Sequence, residues 1–122
     1  MGSLPSQPDC LFCRLVAGTD HVHDDDGFVA VRDINPLETH LLVLPERHVD
    51  TFRDVGAFPD GEAARMLRFV ADTARQAGLE DYRLLVNVGP GAGQTIFHLH
   101  WHVLGGKVDS ARVAQALSVE AG

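Results

Sequence analysis

Hydrophobic and polar residues follow two periods along this chain, one typical of strands and one typical of helices. Stretches rich in β-branched and aliphatic residues predict strands over residues 28–32, 40–44, 82–88 and 95–104. One longer segment between Pro59 and Gly78 repeats its apolar residues at helical spacing, at Ala63, Met66, Leu67, Val70, Ala74 and Ala77. Strands joined by short turns, with one helix inserted, predict an antiparallel sheet of the α+β class.

Weaker patterns flank these elements. A short helix is predicted over residues 10–17, with Asp9 as its N-cap and Gly18 ending it. Residues 19–26 are polar and acidic and predict a solvated connection, in which His21 and His23 are expected to be exposed. Residues 110–117 predict either a short helix or a frayed tail.

The last predicted strand carries histidines at alternate positions, His98, His100 and His102. Successive side chains of a strand point to opposite faces, so the three imidazoles would share one face and the apolar residues between them the other. An imidazole, with an unperturbed pKa of about 6.5, can act as a nucleophile and transfer protons near neutral pH. The pattern therefore favours a catalytic cluster over a chance grouping of histidines on a half-buried strand.

Composition narrows the class of protein. The 122 residues are 45% hydrophobic and 22% charged, which is typical of one globular domain. The formal net charge of −7 argues against electrostatic binding to nucleic acid, and no apolar run reaches the about 20 residues that cross a bilayer. The polar, Pro-containing residues 1–9 contain no signal-peptide core, so we expect a cytoplasmic protein without a nucleic-acid or membrane partner.

Cys10 and Cys13 form a Cys-x-x-Cys motif. In a cytoplasmic chain this spacing indicates metal binding or redox chemistry more than a structural disulfide. A thioredoxin-like motif would follow a strand, and no strand pattern precedes Cys10. Metal binding is therefore the favoured interpretation, provided that other ligands exist.

Taken together, these motifs resemble the histidine triad (HIT) superfamily, whose signature is His-φ-His-φ-His-φ-φ with φ apolar. Residues 98–104 fit that signature at every position. The likeness continues in DINP followed by TH over residues 33–40, in LVLPERH over residues 42–48, and in NVG and GQT over residues 87–95. The branch that the chain resembles most is that of the histidine triad nucleotide-binding proteins, or purine nucleoside phosphoramidases, of the zinc-binding bacterial type.

This resemblance implies an architecture. It implies a five-stranded antiparallel sheet with one long and one short helix. It also implies a homodimer in which two sheets join edge to edge near the long helix. The corresponding domain plan is a flexible N-terminus over residues 1–9, a HIT domain over residues 10–107 and a C-terminal tail over residues 108–122.

The resemblance also implies catalytic roles. His100 would be the nucleophile and form a covalent nucleotidyl-imidazole intermediate. His102 would either hydrogen-bond the phosphate or pass a proton to the leaving group. The hydroxyl of Thr95 would reach the leaving group or a phosphate oxygen, and backbone N–H groups from Gly93 through Gln94 to Thr95 would approach the phosphate.

The remaining nucleotide contacts are implied with alternatives. Asp33 is the expected partner of the ribose hydroxyls, the alternative being a helix or turn cap. Asn87 would contact phosphate or ribose, or anchor its loop. Ile34 and Phe12 would enclose the base or belong to the core, and His40 would orient the surroundings of the nucleophile or be a hydrogen-bonded histidine of the sheet.

The resemblance completes the metal site as well. Cys10, Cys13, His48 and His98 would make a Cys₂His₂ set, the composition expected for structural Zn²⁺. Related bacterial proteins use the first triad histidine as a zinc ligand. His98 would then be structural and not the nucleophile.

The implied activity is hydrolysis of purine nucleoside 5′-phosphoramidates, with a purine nucleotide as the ligand. One alternative is cleavage of dinucleoside polyphosphates, although Gly105-Gly106 after the triad resembles the phosphoramidase branch more. Another alternative is a nucleotide-binding interaction module with little turnover. A zinc-only structural protein would leave His100 and His102 unexplained.

Overall fold

Five antiparallel strands form one sheet in the order β1-β2-β3-β5-β4. The computed structural model describes residues 10–33 and 39–105. The strands are β1 (His23–Asp25), β2 (Phe28–Arg32), β3 (Thr39–Pro45), β4 (Arg83–Leu85) and β5 (Trp101–Gly105). The helices are α1 (Leu11–Ala17) and α2 (Glu62–Gln76), with short 3₁₀ turns at Phe52–Ala57 and Pro90–Ala92. The α+β class and a five-stranded antiparallel sheet with one long and one short helix are confirmed.

The central strands separate two hydrophobic layers. Alternate residues of β2 and β3 pack either on the α2 side or on the α1 side of the sheet. The layer on the α2 side includes Phe28, Ala30, Leu41, Val43, Met66, Phe69, Val70 and Val103. The layer on the α1 side consists of Phe12, Val29, Val31, Leu42 and Leu44. The sheet is thus buried on both faces by different helices.

The β1–β2 hairpin corrects the prediction of a solvated connection over residues 19–26. Asp26 (φ 44°) and Gly27 (φ 95°) form a two-residue turn, and positive φ at both central positions is what a tight hairpin turn requires. The polar β1 lies at the sheet edge, where charged residues discourage further pairing. His23 is not simply exposed, because its ring stacks on Phe69 with centroids 4.5 Å apart.

Helix α2 follows the predicted period, and its buried stripe contains part of the apolar repeat. Met66, Phe69, Val70 and Thr73 are buried, a set that follows i, i+3, i+4 and i+7 spacing. Leu67 is 55% exposed and Ala77 is also exposed, so these two residues of the repeat lie outside the buried stripe. The first turn is fixed by Arg47, whose guanidinium donates to both carboxylate oxygens of Glu62 at 2.9 and 3.2 Å.

The predicted histidine-bearing strand and the one before it are shorter in the structure. Pairing of β5 with β3 begins at Trp101 rather than at residue 95. The backbone N–H of Leu99 donates instead to the carbonyl of Val49, in the segment that follows β3. Strand β4 covers only Arg83–Leu85 of the predicted residues 82–88. Only His102 of the triad therefore lies inside a strand.

Helix α1 begins one residue later than predicted. Cys10, and not Asp9, is the N-cap, and its thiol accepts a hydrogen bond from the backbone N–H of Cys13 at 3.3 Å. Gly18 ends the helix as predicted. Asp9, the predicted N-terminal segment 1–9, Ile34, and the predicted tail over residues 108–122 lie outside the described residues. Among the described residues, no helix is long and apolar enough to cross a membrane.

Candidate active site and metal centre

The three triad histidines are buried together on the α1 side of the sheet. Their exposed fractions are 0% for His98, 1% for His100 and 0% for His102. Leu99 and Val103 belong to the opposite layer, on the α2 side. The predicted alternation of faces therefore holds even though His98 and His100 precede the paired part of the strand.

His100 is held in one orientation. Its Nδ1 donates to the carbonyl of His98 at 2.8 Å, which assigns the ring proton to Nδ1 and the lone pair to Nε2. The ring of Phe12 packs edge-to-face on the imidazole, with centroids 4.8 Å apart and an interplanar angle of 83°. A neutral imidazole with a fixed basic nitrogen has the form that a nucleophile needs.

A chain of hydrogen bonds fixes the proton on His102. Nε2 of His40 lies 3.3 Å from a carboxylate oxygen of Asp33 and 2.9 Å from Nδ1 of His102. Because a carboxylate only accepts, the proton belongs to His40 Nε2. Nδ1 of His102 then accepts, and its own proton is carried by Nε2. This tautomer makes His102 a hydrogen-bond donor, 5.3 Å from His100 between ring centroids.

Four side chains converge at the start of α1 with the composition of a metal site. The ligand atoms of Cys10, Cys13, His48 and His98 all lie within 4.8 Å of one another. Nδ1 of His98 lies 3.5 Å from Sγ of Cys10 and 3.4 Å from Sγ of Cys13, and Nδ1 of His48 lies 3.1 Å from Sγ of Cys13. A tetrahedron with Zn–S of about 2.3 Å and Zn–N of about 2.0 Å has S···N edges of about 3.5 Å, so the donor set fits zinc.

A hydrogen bond from the second ring nitrogen orients each imidazole of this set. Nε2 of His98 donates to the carbonyl of Pro45, and Nε2 of His48 donates to the carboxylate of Asp50, each at 2.8 Å. These bonds assign the protons to Nε2, so the Nδ1 lone pairs point towards the thiols. Histidines that bind metals are commonly held in this way, with the other ring N–H donating to a carboxylate or a backbone carbonyl. Burial lowers the pKa of His98 to about 4, so its ring is neutral at pH 7.

Gln94 holds the glycine-rich loop from inside. Its amide oxygen accepts from the N–H of Gly89 at 2.9 Å, and its amide nitrogen donates to the carbonyls of Asp50 and Ile96 at 2.8 and 3.0 Å. The side chain is 2% exposed. It therefore ties the loop to the segment after His48 and to the approach of the triad.

Two backbone N–H groups that were predicted to approach phosphate form hydrogen bonds within the loop instead. The N–H of Gly93 donates to the carbonyl of Pro90 at 3.1 Å, and the N–H of Gln94 donates to Gly89 at 3.1 Å. Thr95 is exposed at the end of this loop and Asn87 is half-buried at its start.

A cavity of about 470 Å³ lies between α1 and the strands β2 and β3, and one of its walls is Phe12, which packs on His100. Its apolar walls come from Leu11, Phe12 and Leu15 of α1 and from Val31 and Leu42 of the sheet. Asp33 lines it as well, and Leu42 pairs with His102 in the strand register. The volume lies in the range of small-molecule sites. Phe12 was expected either to enclose the base or to belong to the core. It lines the cavity and, with an exposed fraction of 2%, it also belongs to the core.

Comparison with known proteins decides the family. The HIT domain model matches residues 14–109. The chain belongs to the HIT family. The purine nucleoside phosphoramidase of Escherichia coli strain K12 is 38% identical over 92 residues, covering 73% of this chain and 77% of that protein. Cys10 and Cys13 precede the residues that the HIT domain model matches. The evidence that they converge with His48 and His98 therefore comes from the structure.

Solved structures of HIT proteins agree. A HIT family hydrolase from Legionella pneumophila has a TM-score of 0.74 and 36% identity, covering 82% of this chain and 95% of that one. A Zn-bound histidine triad family protein from Mycobacterium smegmatis has a TM-score of 0.63 and 27% identity, covering 90% and 91%. The prediction of a HIT-family hydrolase is confirmed.

Sequence reasoning missed Asp50 as a contributor to this HIT site and did not predict the contacts that Gln94 and Phe12 make. Asp50 orients His48, and the His-x-Asp spacing was a usable signal for that contact. Gln94 was expected on the nucleotide, and nothing local reveals that its amide bonds three backbone segments. The contact of Phe12 with His100 joins residues 88 positions apart and has no local signal.

Proposed function

We propose that this HIT hydrolase cleaves the P–N bond of purine nucleoside 5′-phosphoramidates through a covalent nucleotidyl-His100 intermediate. The observation that carries the proposal is the orientation of His100, with Nδ1–H on a carbonyl and a basic Nε2. The cavity walled by Phe12, which packs on His100, has the size and apolar lining that suit a nucleoside. The purine nucleoside phosphoramidase of E. coli, 38% identical, supports this substrate class.

In the first step, Nε2 of His100 attacks phosphorus and the P–N bond to the amine breaks. The leaving nitrogen accepts a hydrogen bond from the Nε2–H of His102, which the contact with His40 makes the donor, and takes up a proton from solvent as the P–N bond breaks. The positive charge that develops on the His100 ring is stabilised by its Nδ1–H bond to the carbonyl of His98.

In the second step, water attacks the phosphorus of the intermediate and gives up a proton to solvent. The bond between phosphorus and His100 breaks, and the nucleoside monophosphate leaves. Both residues end in their starting protonation states. Two ring tautomers, one with a lone pair and one with a proton at Nε2, thus supply the nucleophile and a hydrogen-bond donor.

Binding groups surround this pair. Asp33, at the cavity wall, accepts from the ribose hydroxyls while it also contacts His40. Thr95, through its hydroxyl and its backbone N–H, and Asn87 bind the phosphate side from the glycine loop, whose Gly93 N–H is already bonded to Pro90. Gln94 holds the loop that carries these groups. The base contact predicted for Ile34 falls outside the described residues.

Cys10, Cys13, His48 and His98 hold one structural Zn²⁺ in this proposal. Four protein ligands complete a tetrahedral shell and leave no position for substrate, which is the pattern of a structural site. When bound, the metal supplies cross-links between α1, the segment after β3 and the triad. The Zn-bound relative from M. smegmatis supports the choice of metal.

A homodimer formed through β4 and α2 also belongs to the proposal. Strand β4 is an edge of the sheet, and its Leu84 is 44% exposed. Leu67 of α2 is 55% exposed. An edge strand with exposed apolar residues is a template for pairing with a second copy. The cytoplasmic location stays a prediction from the sequence.

The substrate class is tested by measuring AMP release from an adenosine phosphoramidate and from diadenosine tetraphosphate. Faster turnover of the phosphoramidate, lost in His100→Ala and kept in His23→Ala, is expected; His23 packs on the α2 side, away from the triad. Preferred turnover of the tetraphosphate would replace the proposal by a dinucleoside polyphosphate hydrolase. Tight nucleotide binding without turnover would make the protein an interaction module.

A further inference from the structure

Helix α1 takes part in two sites at once. At its start, the thiols of Cys10 and Cys13 belong to the metal donor set. Along the same helix, Leu11 and Leu15 wall the cavity proposed for the nucleoside. A change in the position of α1 therefore alters both the metal ligands and the cavity.

Phe12, between the two cysteines in sequence, also lies between the two sites in space. Its ring centroid is 6.3 Å from that of His98, a metal ligand, and 4.8 Å from that of His100. Both contacts are edge-to-face, so the ring bounds the rotation of the nucleophile from the side of α1. Phe12 is fully packed, with an exposed fraction of 2%.

Side-chain packing holds this helix against the rest of the described residues. Seven residues are too few for a helix that is stable by itself. Phe12 and Cys13 are its buried residues, Val16 is partly buried, and Nε2 of His21 donates to the carbonyl of Leu15 at 2.9 Å. Metal bonds at Cys10 and Cys13 would therefore add to the contacts that fix α1 on the sheet.

We infer that α1 couples the two sites, with Phe12 as a positioning residue for His100, so that metal and purine nucleotide bind with positive cooperativity. The metal fixes Phe12 and the cavity wall in the arrangement that the nucleotide needs. By thermodynamic reciprocity, a nucleotide that packs on Leu11 and Leu15 must hold the metal more tightly. This inference rests on the proposed function, because it takes a purine nucleoside monophosphate as the ligand.

The test measures the rate at which zinc-loaded protein loses Zn²⁺ to an excess of a chromogenic chelator, with and without saturating AMP. We expect AMP to slow the release about tenfold, a typical allosteric coupling. Ribose 5-phosphate, which has the phosphate but no base to pack on α1, should change the rate less than twofold. This comparison also controls for any binding of Zn²⁺ by phosphate in solution.

Two matched variants distinguish coupling of the two sites through Phe12 from general stabilisation of the protein. Phe12→Leu keeps all four metal donors, and in it the effect of AMP on zinc release should fall to about twofold or less. Phe69→Leu, a buried Phe on the opposite side of the sheet, should keep the full effect. Hydrogen exchange adds an independent readout, because zinc should slow exchange in α1 much more than in α2.

Failure of the coupling is distinguishable from failure of the proposed function. AMP binding to the zinc-loaded protein is measured separately by calorimetry. If AMP binds but does not change the release rate, the coupling is wrong while the nucleotide site stands. If AMP does not bind, the proposed function fails and the coupling with it. An equal effect of AMP in Phe12→Leu and wild type would overturn the role of Phe12.

Discussion

Nε2 of His40 lies 2.9 Å from Nδ1 of His102, and the same nitrogen contacts the carboxylate of Asp33 at 3.3 Å. This relationship decides which nitrogen of His102 carries a proton. In the proposed mechanism it extends the catalytic machinery beyond the triad to a neighbouring strand, since His40 belongs to β3. His40 would act through His102 and is therefore proposed as a positioning residue.

Replacing His40 should lower kcat more than it raises KM. In His40→Ala the tautomer of His102 is no longer fixed, and we expect kcat to fall about 100-fold, the low end of what the loss of one hydrogen-bond donor to a transition state costs. His40→Gln retains an amide N–H that can donate to His102, so it should recover part of the loss. Steady-state kinetics across pH measure both. Equal kcat in wild type and His40→Ala would contradict this role.

Removing the amide of Gln94 should destabilise the protein. Gln94→Leu leaves the N–H of Gly89 and the carbonyls of Asp50 and Ile96 without their partner, at a cost of about 3 kcal/mol. Urea unfolding measures the loss. The control is Gln76→Leu at the exposed end of α2, which should change stability by less than about 0.5 kcal/mol. Similar values for both variants would refute a buried anchoring role.

Zinc content should depend on the four converging donors. Wild-type protein purified without added metal should contain one Zn²⁺ per chain, and Cys13→Ser should contain close to none. Asp50→Asn, which alters the partner of His48 but no ligand, should keep the stoichiometry and lose about 10- to 100-fold in affinity. Metal analysis and chelator competition measure these effects. Equally low zinc in wild type and Cys13→Ser would exclude the site.

Acid should weaken the metal-free protein through His98. Burial lowers the folded pKa of His98 to about 4, below its unfolded value of about 6.5. Between these values the unfolded chain binds a proton that the folded protein does not, so stability falls as pH falls through this window. The contribution is about 3 kcal/mol in full. Urea unfolding at pH 7 and pH 5 should show a larger loss in wild type than in His98→Gln; equal losses would contradict the lowered pKa.

The sequence predicted the common face of the three triad histidines more accurately than it predicted the boundaries of the strands. Alternation of apolar residues with His98, His100 and His102 was enough to predict their common face. The length of β5 was overestimated because Leu99 bonds to Val49 outside the sheet, a tertiary contact with no local signal. The first strand was missed because its side chains are polar and its pairing depends on the turn at Asp26 and Gly27.

In the candidate site, too, features with a sequence signal were predicted and those that depend on tertiary contacts were not. Spacing and resemblance brought Cys10, Cys13, His48 and His98 together, and the structure places their donor atoms in one cluster. The tautomers of the two remaining triad histidines could not be predicted, because they depend on carbonyl and imidazole neighbours that only the fold defines. The proposed distinction between nucleophile and hydrogen-bond donor comes from those neighbours.

The central claim is that Nε2 of His100 becomes covalently bonded to the nucleotide. Its direct test is rapid acid-free quenching of the enzyme with an adenosine phosphoramidate, followed by mass spectrometry of the intact protein and its peptides. The account predicts a mass increase of one adenylyl group on the peptide that contains His100, absent in His100→Ala and present in His23→Ala. An adduct on another residue, or turnover in His100→Ala at the wild-type rate, would contradict it.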